Sequence, residues 1–414
     1  MQNMQGIIGL LFLFCLALFA SEQRRDIRWR PIIVGFFLQF FLAILLLKVP
    51  ASRHVFVILN QIVLALEKAT ISGTTVVFGY LGGGQLPFEE ISKGSSFILA
   101  FKSLPVVLLV SALSSLLFYL GILPLIVKTG SRLLSRSMGV GGALGISSAA
   151  NVFVGMVEAP LLIRPYLLKM SRGELFAVMT CGMSTVAGTV LVLYASILQS
   201  SLPDALGHIL TASLISAPAA LSVALILVPP TGDQTTGELV PPNLANGTVD
   251  AIVVGTLDGL KLLLNIVAML IVFVALVGLV NQVFSYLPML DGAPLTLQRI
   301  LGWFFAPIAW TLGIHWQECA AVGSLLGTKT ILNEFIAYLD LANMGPDVLS
   351  DRSRLIATYA LCGFANFGSL GIMLGGLSAM IPERRKEIVG LGLKSILSGT
   401  MATCLTGTVV GIIL

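Results

Sequence analysis

Two glutamates are the residues most able to do chemistry in this chain, because each sits inside a long apolar stretch. Glu158 follows Ser147, Ser148, Asn151 and Gly155 and precedes Pro160. Glu334 follows Thr328, Lys329, Thr330 and Asn333. A carboxylate near the middle of a bilayer costs at least about 2.5 kcal/mol on insertion scales, so such residues are functional candidates by default. The plainer reading is that each glutamate satisfies a backbone amide, or that Glu334 pairs with Lys329. Downstream of each glutamate lies a helix interrupted by small and polar residues: Gly182-Met-Ser-Thr-Val-Ala-Gly-Thr189 after Glu158, and Cys362-Gly-Phe-Ala-Asn-Phe-Gly-Ser369 after Glu334. Broken helices leave amides and carbonyls free. With Asn151, Thr185, Asn366 and Ser369 they form a set of donors and acceptors suited to a neutral, polyhydroxylated solute. Neither glutamate stretch has an Arg at its centre, which argues against a strongly anionic solute. Arg164 reads as an interfacial anchor.

The elements that position these residues must lie in a membrane. Of 414 residues, 56% are hydrophobic and 11% charged, and the mean hydropathy is +0.97. A soluble protein carries about 25% charged residues. Soluble enzymes, nucleic-acid binders and disordered chains are therefore excluded, and the net charge of +4 carries no nucleic-acid signal. At about 20 apolar residues per crossing, spans are expected at 4–20, 31–48, 97–127, 174–199, 205–229, 251–288, 355–381 and 391–414. Residues 1–20 lack a basic start and a good cleavage site and read as a retained helix. Residues 54–66, with His54, Gln61 and the nearby Glu67, read as an interfacial helix. The segment 229–250 is the one hydrophilic linker. The five cysteines and three histidines are scattered, without metal spacing, and no nucleophile–base set is visible, so no enzyme and no cofactor are expected.

Loop charges set the orientation, since Lys and Arg favour the cytoplasmic side. Arg136 and Lys169 flank a mostly apolar stretch. A single crossing would push one basic flank outside, whereas a re-entrant hairpin keeps both inside. One long tilted helix is the alternative. Residues 316–350 repeat the pattern beside Asp340, Asp347 and Asp351, on the opposite side. The expected fold is all-α: about eight transmembrane helices plus two re-entrant hairpins, arranged as inverted repeats of an elevator-type secondary transporter. The expected parts are 1–136 (mainly scaffold), 137–229 (first repeat), 230–315 (linker, long scaffold helix and interfacial helix) and 316–414 (second repeat).

Four blocks give the chain a resemblance to the concentrative nucleoside transporter family. They are Asn151-Val-Phe-Val-Gly-Met-Val-Glu-Ala-Pro160 with its continuation to Tyr166, Ser184 to Val190, Gly327-Thr-Lys-Thr-Ile-Leu-Asn-Glu-Phe335 onward to Tyr338, and Tyr359 to Ile372. The resemblance implies a homotrimer in the bacterial inner membrane importing nucleosides. It implies that Glu334, Asn366 and Ser369 bond the ribose, with Phe364 packing nearby. Gly155, Met156, Val157, Glu158 and Val190 would surround the nucleobase. Asn151 and Thr185, with the carbonyls of Val154 and Val186, would hold a sodium ion, and sodium would be the coupling ion with the proton as its rival. One departure stands out. Where the family usually reads Gly-Gln-Thr/Ser-Glu, this chain reads Gly155-Met156-Val157-Glu158. A thioether and an isopropyl group replace two hydrogen-bonding side chains, which implies altered base selectivity.

Overall fold

With no water in the bilayer core, backbone amides must be satisfied within the chain, so apolar segments form helices. The computed structural model describes residues 2–90, 96–199, 201–240, 245–290 and 292–414, and four residues of the linker, 241–244, lie outside that description. In chain order the helices are α1 (Gln2–Phe19), α2 (Trp29–Lys48), α3 (Pro50–Phe78), the short α4 (Leu99–Lys102), α5 (Val106–Tyr119) and α6 (Ile122–Met138). The first repeat follows as α7 (Gly142–Ala150), α8 (Glu158–Leu161), α9 (Arg164–Leu167), α10 (Arg172–Ser184), α11 (Gly188–Leu198) and α12 (Ala205–Leu227). After α13 (Thr248–Phe284) and α14 (Leu297–Thr311), the second repeat comprises α15 (Trp316–Ile331), α16 (Glu334–Asn343), α17 (Asp351–Leu361), α18 (Phe367–Met380) and α19 (Arg385–Ile413). Among the described residues, seven helices are long and apolar enough to cross a membrane, and α1 and α18 are shorter apolar helices.

Two segments differ from the expected spans. Residues 54–66 belong to the 29-residue α3, whose length and hydropathy suit a crossing rather than an interfacial position. Its few polar residues are spaced among apolar ones, and Phe56, Val63, Thr70 and Thr74 recur at helical spacing on the buried side. The expected span 97–127 is divided at Gly121, whose left-handed backbone (φ +77°) ends α5 and starts α6. A residue without Cβ is needed for that turn. The resulting α6 is amphipathic: Leu123, Val127, Leu134 and Met138 are buried, while Lys128, Arg132 and Arg136 are exposed. This is the pattern of a helix lying in the membrane interface.

Residues 137–168 turn back instead of crossing. The linker residue Gly237 lies against both Ala143, at the start of α7, and the Tyr166 ring in α9; a Cβ added there would come within 2.8 and 3.2 Å of them. Backbone bonds agree, since Thr235 O accepts from Ala143 N and Leu162 O accepts from Val240 N. The second hairpin closes likewise. Glu318, in the first turn of α15, accepts from the Ser350 amide and hydroxyl beyond the end of α16. Arg354 donates to Leu341 O and Met344 O, covering carbonyls that the end of α16 leaves without helical donors.

The two hairpins enter from opposite faces. Arg384, just before α19, donates to Leu167 O and Met170 O at the base of the first hairpin. Arg352, at the base of the second, donates to Gly411 O near the far end of α19. Twenty-nine helical residues span about 43 Å at ~1.5 Å rise each, so the bases are a membrane thickness apart. Glu22 marks the basic end. It accepts from Arg172 and Lys394, and the Arg172 hydrogen bond in particular holds its carboxyl below the usual range. Elsewhere α1 packs on α19 and α14, α2 on α12, and α5 on α13. In that last pair Gly255 and Gly259 admit the Ser111 and Ala112 backbone, a close small-residue crossing of the kind lipid-embedded helices use.

Single cysteines at Arg136, Lys169 and Asp347, in a background stripped of native cysteines, test the arrangement in sealed oriented vesicles. The first two are expected to react with a membrane-impermeant maleimide from one side and the third from the other.

Candidate functional site

The site is built around two breaks in otherwise apolar helices. Between α10 and α11, Thr185 and Ala187 adopt extended backbone. Between α17 and α18 the chain unwinds from Cys362 to Asn366, and Asn366 caps α18 by accepting from Ser369 N at 2.7 Å. The breaks lie back to back: a Cβ on Gly363 would fall 3.0 Å from Met183 O and from the Ser184 carbonyl carbon. Gly399 of α19 wedges against both, since its Cβ would meet those of Met183 and Ala365. Glycine is required at these two positions by close approach.

Glu334 reaches this junction from the tip of the second hairpin. Asn333 caps α16 through a bond from Ile336 N, which fixes where the next residue points. Glu334 is 5% exposed. Its Oε1 accepts from the Tyr194 hydroxyl at 2.6 Å and its Oε2 from Asn366 Nδ2 at 2.8 Å. Tyr194, on α11, is held by ring contacts with Phe335 and Tyr338 of α16. The predicted residues Glu334, Asn366 and Ser369 are thus brought together, with Phe364 half-buried on the unwound segment between α17 and α18. Lys329 does not pair with Glu334. Its ammonium donates to Ala360 O at 2.9 Å and Thr403 Oγ1 at 2.8 Å.

The first hairpin meets the first break directly. Phe153 O accepts from Gly188 N at 3.0 Å. Thr185 Oγ1 donates to Cys181 O at 2.9 Å and lies 3.2 Å from Asn151 O. Asn151 and Thr185 therefore adjoin as expected, beside the half-buried Val154 and the fully buried Val186, whose amide donates to Ser213 Oγ. Asn151 Oδ1 is buried and has no hydrogen-bond partner. Glu158 is exposed, with its carboxylate folded back over Gly155, where a Cβ would lie 2.1 Å from Oε2. Met156 is buried against Gly182 of α10, and Val157 lies on Gly376 of α18. Both apolar side chains thus seat the hairpin tip on the broken helices. Val190 is buried in α11. Among the described residues no printed bond links Glu158 to the Glu334 cluster.

Sequence reasoning missed Tyr194, Ser213 and Thr403. Each is one hydroxyl in an apolar helix, and the partner lies far along the chain, so no local spacing signals it. The aromatic residue of α11 becomes informative only once α11 is laid against α16.

Family models described as "Na+ dependent nucleoside transporter N-terminus", "Nucleoside recognition" and "Na+ dependent nucleoside transporter C-terminus" match residues 8–81, 100–201 and 208–411. The chain belongs to the concentrative nucleoside transporter family. This transporter is 35% identical to the "Nucleoside permease NupC" of Helicobacter pylori, covering 99% of this chain and 98% of the relative. It is 36% identical to an "Uncharacterized transporter" of Haemophilus influenzae over 100% of this chain and 98% of the relative. It is 34% identical to human "Solute carrier family 28 member 3", of whose length it spans 60%. The solved structure "CNTnw in an inward-facing substrate-bound state" is similar with a TM-score of 0.91 and 34% identity, covering 99% of this chain and 98% of that one. A double variant of the same protein in an outward-facing state gives 0.91 at 33%, covering 100% and 98%. The fold is therefore the elevator-type architecture, and this protein is a multi-pass membrane transporter, not an enzyme.

Replacing Tyr194 by Phe removes one of the two side-chain donors to Glu334. Leaving a buried acceptor unsatisfied costs about 1–3 kcal/mol, equivalent to about a five- to hundredfold loss at 1.4 kcal/mol per decade. Titration calorimetry on the purified protein is expected to show nucleoside affinity weakened within that range, with the thermal transition still cooperative.

Proposed function

We propose that this protein is a sodium-coupled symporter that imports nucleosides across the bacterial inner membrane as a homotrimer, each protomer with its own pathway. The observation that carries the reading is the buried Glu334 carboxylate, held by Tyr194 and Asn366 at the junction of two broken helices. A ribose diol donates to a carboxylate and exchanges bonds with an amide and a hydroxyl, so Glu334, Asn366 and Ser369 suit a sugar better than a charged solute. Phe364 offers an apolar face beside them. The base falls toward the first hairpin, near Gly155, Glu158 and Val190.

Sodium is supported by the donor set. Asn151, Thr185 and nearby backbone carbonyls are oxygen ligands fit for a hard cation, and the orphaned Asn151 Oδ1 is an acceptor without a donor. One charge moving through 100 mV releases about 2.3 kcal/mol, enough to concentrate a neutral solute roughly fiftyfold. Altered base selectivity is supported by Met156 and Val157, which offer the base no donor or acceptor side chain and are committed to Gly182 and Gly376. Trimer formation is supported by α13, whose most apolar window has mean hydropathy 3.0 and is unburied within one protomer. The moving part comprises 137–229 and 316–414, with α1 and α2 carried on the repeat helices they pack against.

A second reading has its own support. Glu158 is an exposed carboxylate at the hairpin tip, placed where protonation is able to replace sodium binding. Uptake of labelled nucleoside into proteoliposomes decides between them. An inward sodium gradient is expected to drive accumulation at equal pH; accumulation driven by a pH gradient without sodium would select the proton. In the same assay uridine, cytidine, adenosine and inosine are expected to compete within about tenfold of one another, corresponding to about 1.4 kcal/mol. A sharp uridine preference would refute altered selectivity. Failure of all four would point to a related ribosyl compound.

A further inference from the structure

Lys329 is fully buried, yet both hydrogen bonds recorded for its ammonium go to neutral oxygens, Ala360 O and Thr403 Oγ1. A buried cation ordinarily sits against a carboxylate or a metal-like cage of oxygens. The second description fits. Ala360 is among the last residues of α17, whose terminal carbonyls have no helical donors and carry partial negative charge. Thr403 adds a hydroxyl oxygen from α19.

The first repeat has the same parts in the same order. Asn151 caps the first arm of hairpin one, as Lys329 lies in the last turn of the first arm of hairpin two. Asn151 meets the end of the first half of its broken helix, at Thr185 and Cys181. Lys329 meets the matching end of α17. The repeats differ in what fills the place. In the first, Asn151 Oδ1 has no partner; in the second, an ammonium supplies the positive charge.

We propose that Lys329 is a tethered cation occupying, in the second repeat, the position that a mobile cation takes beside Asn151 and Thr185 in the first, so that this pair of related sites takes up one ion per cycle instead of two. The proposal rests on the reading of Asn151 and Thr185 as an ion site. It makes Lys329 a positioning residue: its charge ties the second hairpin to the end of α17 and so places Glu334 without waiting for an ion.

Two substitutions test it in proteoliposomes and in detergent. Lys329→Asn exchanges the ammonium for a neutral oxygen donor like that of Asn151. The order of uptake in sodium is expected to rise from one toward two, half-saturating sodium to rise several-fold, and the charge moved per nucleoside to increase from one to two. Asn151→Lys places a tethered cation in the first repeat, and nucleoside binding to the purified variant is expected to become independent of sodium. A folded Lys329→Asn variant with unchanged sodium order, or inactive at every sodium concentration, overturns the proposal. So does a folded Asn151→Lys variant whose binding is lost or still needs sodium, and this arm decides alone where Lys329→Asn does not fold. Sodium-independent uptake by the wild type would instead sink the ion-site reading itself. Wild-type uptake of first order in sodium, with no change in either variant, would sink this inference only.

Discussion

The contact on which the rest depends is the meeting of two unwound helix segments deep in the protein. Non-helical backbone at membrane depth survives only where it is buried in protein or lines a cavity. Here Gly363 approaches Met183 and Ser184 closely, and Gly399 of α19 fills the angle between the two breaks. Everything polar in the site is arranged about that junction. Asn366 caps one half-helix and bonds Glu334; Thr185 ends another and adjoins Asn151. Remove the close approach and the freed carbonyls lose their cover.

The hairpins complete what the breaks begin. Each places its tip at the junction and its base at one end of α19, so the helix serves as a common spine for two oppositely oriented units. Arginines cover the carbonyls at each base: Arg384 for the first, Arg354 for the second. Charge-assisted bonds of this sort are stronger than neutral ones. They set the depth of Glu158 and Glu334 far more firmly than the apolar arms, which have no directional preference among lipid-like neighbours. The apolar pair Met156 and Val157 fits this division of labour, seating the tip through packing while leaving Glu158 free.

The inverted repeat is legible because charge and polarity leave separate marks in the chain. Basic flanks at Arg136 and Lys169 around an apolar stretch imply a return, and the Gly237 contacts with both arms match it. The matching order of hairpin, broken helix and helix exposes the second copy. Less was legible where a pattern was averaged. The polar residues of α3 masked a segment long enough to cross, and Gly121 divided an apolar run whose two halves lie in different environments.

The residue sequence alone determined the class of the molecule, the two hairpins, the two breaks and the four blocks carrying Asn151, Glu158, Glu334 and Asn366. These follow from local composition, since each mark is written within a few dozen neighbouring residues. Tertiary structure decided the partners. Glu334 takes Tyr194 instead of Lys329, Lys329 takes Ala360 and Thr403, and Met156 takes Gly182. Each pairing joins residues far apart in the chain, and a buried polar group settles on whichever donor or acceptor the packing of helices brings within bonding distance.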